Sequence, residues 1–170
     1  FVNDNPTNLP SRNFTSAAAL TMSQTLEAMA LVVESQNPEL YCSILLIDSE
    51  QEHVSVGAGP SLPQEYNDAV EGLKIGPRVG SCGTAAFWNV PVVVEDIDED
   101  PLWVDLRGAA ELAGVSACWS HPIVSINGTV LGAIALYNPT PRSPTDDQMR
   151  GLEIASRMVG LAIERDQLEV

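Results

Sequence analysis

VSACWSHPIVSINGTVLGAIALYN, residues 115–138, decides the fold of this chain. Two β-rich runs, each too short and too branched for a helix, flank Ser125-Ile126-Asn127-Gly128, and Asn-Gly between such runs is the strongest short-range hairpin signal. An antiparallel pair therefore lies near the end of the chain. Downstream, a Pro-rich loop leads to Ser143-Pro144-Thr145-Asp146, read as an N-cap, a first-turn proline and an acidic capping partner. Met149, Leu152, Ala155, Met158, Val159, Ala162 and Ile163 then recur at helical spacing, so a long amphipathic helix follows the hairpin.

The same grammar holds upstream. Residues 41–48 (YCSILLID) and 53–59 (HVSVGAG) are β-rich runs separated by Ser49-Glu50-Gln51-Glu52, a second hairpin. Before them, Leu20, Leu26, Met29, Ala30 and Val33 form a helical stripe in a segment running from Thr15 to Asn37-Pro38. Between the hairpins lie a short helix over 62–70, a Gly/Pro-broken loop over 72–80, GSCGTAAFWN (80–89) as a Gly-rich turn entering a helix, and the short strand PVVVED (91–96). An acidic loop and PLWVDLRGAAELAG (101–114) complete the insertion, the latter reading as a helix with Pro101 in its first turn and Gly114 as its stop. The fold class is α+β: a central antiparallel sheet with the long N- and C-terminal helices on one face. Short helices and loops form a pocket on the other. Residues 1–14, polar and with two prolines, read as a linker or arm, and 15–170 as one domain.

Composition removes several classes of partner. Eight basic residues against 23 acidic ones give a formal charge of -15, which disfavours nucleic acid and anionic lipid. No apolar run approaches the roughly 20 residues of a membrane-spanning helix. Cys42, Cys82 and Cys118 are odd in number and have no metal-ligand spacing, so a reduced, cytoplasmic chain without a metal site is expected. In Glu95-Asp96-Ile97-Asp98-Glu99-Asp100 the D-x-D-x-D spacing of a calcium loop is present, but Pro101 stands where that loop needs Gly and Arg107 where it needs Glu. The loop reads as a solvated acidic surface.

GSCGTAA (80–86), PVVVEDIDEDPLW (91–103), ACWSHPI (117–123), GTVLGAIALY (128–137) and AIER (162–165) together resemble the GAF domains of bacterial signalling proteins. The resemblance runs in order from about Thr15 to Glu169. It implies a GAF/PAS-like sensory module, without catalytic residues of its own, set in a sensor histidine kinase, diguanylate cyclase or cyclic-di-GMP phosphodiesterase type of protein. Signals would pass through the terminal helices of a homodimer to an output domain of the same polypeptide, toward which the last helix is expected to continue. The resemblance does not fix a cofactor.

Two alternatives stand beside that reading, the first of them a redox enzyme or redox sensor built on Cys82. Free methionine-(R)-sulfoxide reductases are GAF enzymes with a cysteine in a (V/L)CGTAA context, which the resemblance would place on Cys82. A thiol at a helix start is favoured as thiolate by free N–H groups and the helix dipole. The second and third cysteines of those enzymes are missing from EDIDEDPLWVDLRGAA (95–110), and their LDIDS-like paired acids are replaced within IALYN, where Ala135 and Tyr137 stand. The other alternative is a ligand-free dimerisation module. Cyclic-nucleotide-binding GAF domains carry N-K-x-F-x-D-E, whereas Lys74 here is followed by Ile75-Gly76-Pro77-Arg78, and Cys118 lacks the adjacent histidine of bilin attachment.

For a small molecule or small anion, the candidate binding residues are Cys82, Gly83 and Thr84 at the helix start, Arg78 before it, Trp119 and His121 on one strand, and Tyr137 on the next. Strand alternation puts Trp119 and His121 on one face and Cys118 and Ser120 on the other, and the expectation sets the Trp119 side against the pocket. The competing readings are that the tryptophans only cover the sheet, that His121 is a satisfied interior histidine, and that Cys82 is a small packing residue.

Overall fold

A computed structural model describes residues 20–168. The arm assigned to 1–14 and the helix start at 15–19 lie outside the described residues. Eleven elements follow in order: α1 (Met22–Gln36), β1 (Tyr41–Ile47), β2 (Val54–Ala58), α2 (Gln64–Val70), α3 (Gly80–Trp88) and β3 (Val92–Val94). A 3-10 turn (Pro101–Trp103), α4 (Arg107–Ala113), β4 (Ala117–Val124), β5 (Val130–Asn138) and α5 (Asp146–Leu168) complete them. The strands make one antiparallel sheet of order β2-β1-β5-β4-β3.

Local chemistry sets the element ends. Thr21 and Gln24 cap α1 reciprocally, each side chain taking the other's backbone N–H at 3.1 and 3.0 Å. At α5 the cap is Thr145 rather than Ser143: its hydroxyl accepts from the Gln148 N–H (3.1 Å) while the Gln148 side chain accepts from the Thr145 N–H (2.9 Å). Pro144 thus precedes the cap instead of occupying the first turn. The helix expected over 101–114 is two pieces, because Asp100 caps a tight 3-10 turn at Leu102 N–H and the chain re-enters helix only at Arg107. Gly114 does end it, at φ 67°.

Each sheet face carries its own core, and side-chain alternation divides them. Cys42, Ile44, Trp119, Ile123, Ile134 and Leu136 point toward Leu26, Ala30 and Val33 of α1 and Leu152, Val159 and Ile163 of α5. Leu45, Cys118, Ala133, Ala135 and Tyr137 point the other way, toward Tyr66 of α2, Cys82 of α3, Ile97, and Trp103 in the 3-10 turn. The terminal helices therefore share one face and the insertion covers the other.

Glycine brings α5 unusually near the sheet. A Cβ on Gly160 would stand 3.0 Å from the Val124 carbonyl oxygen. One turn on, the Glu164 carboxylate accepts the Ile126 N–H at 2.6 Å, fixing the helix to the β4–β5 turn.

Candidate functional site

On the insertion side, α3 supplies the closest backbone. Its first seven residues, Gly80 to Ala86, are all buried, and their small side chains let the helix lie on β4 and β5 where Ala133 and Ala135 are small too. Gly80 begins the helix at φ 57°, a left-handed conformation that glycine adopts without cost, with Trp103 and Leu106 packed over the place of its absent Cβ. The sequence placed a turn here; the segment is helical from Gly80 itself.

A row of hydroxyls crosses the sheet beneath α3. Ser43 of β1 and Ser120 of β4 both pair with Ala135 of β5, whose small side chain leaves room above it. The Tyr66 hydroxyl donates to that of Tyr137 at 3.0 Å, and the Tyr137 and Ser43 hydroxyls are joined at 2.9 Å. Ser120 Oγ lies 3.1 Å from Cys82 Sγ and 3.9 Å from Cys118 Sγ. Trp103 Nε1–H donates to Ser81 Oγ, which donates in turn to the Cys118 carbonyl, both at 3.0 Å. No buried side-chain N or O among the described residues lacks a partner.

Burial governs the ionisation of this cluster. Desolvation pushes the phenols of Tyr66 and Tyr137 well above their ordinary value, so both remain neutral hydrogen-bond donors. The two thiols separate: hydrogen bonds from Cys118 and Ser120 hold Cys82 below the usual thiol value despite burial, whereas desolvation and its neighbour push Cys118 up. Cys42, on the helix face, is likewise pushed far up by burial.

A cavity of about 30 Å³ opens beside the cluster. It is lined by Leu45, Val54, Tyr66, Trp103, Tyr137 and the 79–83 backbone among others, with exposed Lys74 as the one charged lining residue. Such a volume holds a water molecule or two. Of the candidate binding residues, Cys82, Gly83 and Tyr137 line it. Thr84 does not, since its hydroxyl turns back onto the Gly80 carbonyl at 2.6 Å; Arg78 is exposed and outside the lining.

Trp119 and His121 correct the expectation outright in position. Trp119 is buried in the core beneath the terminal helices, its Nε1–H donating to the Arg142 carbonyl at 3.0 Å. His121 shares that face by alternation, and its Nδ1 lies 2.9 Å from the Pro122 carbonyl. Alternation holds along β4, and the face that looks toward the cavity is that of Cys118 and Ser120. The bulky indole packs between the sheet and the two long helices, whereas α3 meets the opposite face through small residues. Residues outside the expected set, Ser43, Tyr66, Ser81 and Trp103, together with Cys118 and Ser120 from the face expected to point away, make up most of the site. Their signal was a lone serine in the middle of each of two apolar strands.

Comparison with known proteins places this geometry. The sequence model of the GAF domain matches residues 19–164. A curated relative, the methyl sulfide methyltransferase-associated sensor of Methanosarcina acetivorans, is 32% identical over 151 residues, which are 89% of this chain and 15% of that protein. The chain thus spans a small fraction of that relative's length. Among solved structures, the GAF domain of a phosphoenolpyruvate-protein phosphotransferase from Coxiella burnetii superposes with a TM-score of 0.74 at 16% identity, covering 93% of this chain and 92% of that one. Free methionine-R-sulfoxide reductase from Neisseria meningitidis, in complex with its substrate, gives a TM-score of 0.69 at 17% identity, with 92% and 86% covered. At these identities the structures speak for the fold alone. Family match, sheet order and helix placement agree: the chain belongs to the GAF domain family.

Proposed function

We propose that the chain is the sensory module of a signalling protein, in which the insertion-side cavity receives a small molecule or small anion and the terminal helices pass the change to an output domain. The observation that carries this reading is the double use of β4: Cys118 and Ser120 face the cavity cluster while Trp119 and Ile123 face α1 and α5. Any rearrangement of the cavity wall therefore acts on the strand against which the helices rest. The curated relative's description as a sensor supports the same reading. Cys82, Gly83 and Tyr137 are the contact residues, with Lys74 at the rim for an anionic group. At about 30 Å³ the cavity must widen for anything larger than a few atoms, so binding selects an opened insertion and biases the helices by at most the differential affinity, about 1–3 kcal/mol.

The module works as a homodimer in this reading. Leu20 just before α1, Val32 of α1, and Ile154, Met158 and Leu161 of α5 are all exposed, and a groove between the two helices is lined by Leu20, Met29, Val32, Ile154 and Met158. Two copies packing these faces form a four-helix interface that removes the apolar stripe from water. The cytoplasm suits three unpaired thiols, and no helix among the described residues is long and apolar enough to cross a membrane. Sedimentation equilibrium tests the dimer: wild-type protein should dimerise and Met158→Glu should not. A monomeric wild type at every concentration removes helix-pair transmission. Thermal-shift titration with nitrate, phosphate, carboxylates and amino acids tests the cavity, and the absence of any shift removes ligand sensing by these classes.

The Cys82–Cys118 proximity favours one other reading, a sulfoxide reductase. Against it, no Asp or Glu lines the cavity to hold an amino-acid ammonium group. Thioredoxin-coupled turnover of methionine-(R)-sulfoxide decides between them, and none is expected.

A further inference from the structure

We propose that Cys82 and Cys118 are a peroxide-responsive thiol pair that closes to an intramolecular disulfide within the insertion-side core. Far apart in sequence, the two sulfurs meet the same Ser120 hydroxyl at 3.1 and 3.9 Å. Their approach is held by bonds that involve neither thiol: Ser81 Oγ, next to Cys82 on α3, donates to the carbonyl of Cys118 on β4 at 3.0 Å, and Trp103 anchors Ser81 from behind. Cys42 takes no part, being on the opposite face of the sheet.

The cavity supplies the access and the selectivity. Cys82 lines it, and about 30 Å³ admits a molecule on the scale of water or hydrogen peroxide. The division of labour follows from the surroundings. Cys82, in the first turn of α3 with hydroxyl and thiol donors around its sulfur, is the thiol that ionises first; Cys118 keeps its proton. The Cys82 thiolate attacks one peroxide oxygen, the O–O bond breaks, and the departing hydroxide takes up a proton to leave as water, giving Cys82 sulfenic acid. Cys118 sulfur then attacks Cys82 sulfur, the S–S bond forms as the S–O bond breaks, and the hydroxide released takes the Cys118 proton to form a second water. Two thiols are oxidised and one peroxide is reduced. Bonding α3 covalently to β4 moves the strand whose other face holds Trp119 against the terminal helices. This step does not depend on ligand sensing at the cavity.

The test is peptide mapping by mass spectrometry after brief exposure of the folded chain to hydrogen peroxide, followed by alkylation under denaturing conditions. The expected result is loss of two alkylatable thiols, a cross-linked pair of peptides containing Cys82 and Cys118, recovery with dithiothreitol, and an unchanged yield in Cys42→Ser. Cys118→Ser should stop at a Cys82 sulfenic acid trapped by dimedone, and Cys82→Ser should not react. Where a serine variant loses its fold by circular dichroism, the wild-type peptide map decides alone. Retention of all three thiols in folded protein under peroxide that oxidises unfolded protein overturns the proposal. So does a disulfide that includes Cys42 or joins two chains.

Discussion

Replacing Tyr137 by Phe removes a single oxygen from the middle of a buried chain, and the arrangement of that chain sets the cost. Its hydroxyl accepts from Tyr66 at 3.0 Å and pairs with Ser43 at 2.9 Å, in a site where Tyr137 is 1% and Tyr66 4% exposed. The ring survives the substitution, so the edge-to-face contact with Tyr66, 5.6 Å between centroids at 81°, is retained and no cavity larger than an oxygen forms. What changes is that two hydroxyls lose their partner together. An orphaned buried polar group costs about 1–3 kcal/mol, so with partial relaxation Tyr137→Phe should destabilise by about 2–4 kcal/mol. Tyr66→Phe removes the end of the chain and leaves Tyr137 its bond to Ser43, for about 1 kcal/mol. In urea, with a slope of about 2 kcal/mol per molar, the midpoints should fall by roughly 1–2 M and 0.5 M. The double variant orphans only Ser43, so it should be no less stable than Tyr137→Phe alone, a coupling of about 1 kcal/mol or more. Equal losses from the two single variants, or additivity to within about 0.5 kcal/mol, would refute the three-hydroxyl chain.

Other substitutions probe the two faces separately. Gly132→Ala would drive a methyl group into the Leu45 carbonyl of the neighbouring strand, and since backbone cannot yield cheaply, circular dichroism should show little folded protein. Trp119→Phe forfeits the bond to the Arg142 carbonyl and part of the helix-side packing, for about 1–3 kcal/mol by denaturant titration. Asp48 is held below the usual carboxylate range first by the Glu52 N–H at 2.9 Å and then by His53. A depressed carboxylate stabilises fully above its unfolded value and loses that contribution as pH falls through the lowered one. Acidification should therefore lower the protection factor of the Glu52 amide, its exchange rate taken relative to the intrinsic rate at each pH, and Asp48→Asn should remove that loss of protection.

The scaffold was legible because its signals are local. Asn127-Gly128 announced the β4–β5 hairpin, and the stripe from Met149 to Ile163 announced α5, since turn chemistry and helical period act within a few residues. Errors at the ends were local competitions: Thr145 took the capping place from Ser143 because Gln148 can return the bond, and Asp100 made a tight turn where uninterrupted helix was expected. The site was harder to read. Alternation separates Trp119 from Cys118, but which of the two faces looks toward the insertion depends on how closely α3 and α5 approach the sheet, and that distance is set by small residues remote in sequence. The meeting of Cys82 with Cys118 is hidden for the same reason. Ser43 and Ser120 carried a usable clue, because a hydroxyl placed mid-strand among apolar neighbours must find a partner once buried.

Gly160 gives the last helix a fulcrum. With no side chain to hold it off, α5 rests there almost directly on the Val124 carbonyl, so it rocks about that point more readily than it lifts away. From Gly160 to Leu168 the helix extends about 12 Å at its ordinary rise, and a tilt of about 5° displaces its far end by about 1 Å. Glu164, holding the Ile126 N–H one turn beyond the fulcrum, acts as a stay that must slacken before the lever swings. A shift of the Val124 carbonyl therefore meets helix backbone with no side chain between them to absorb it.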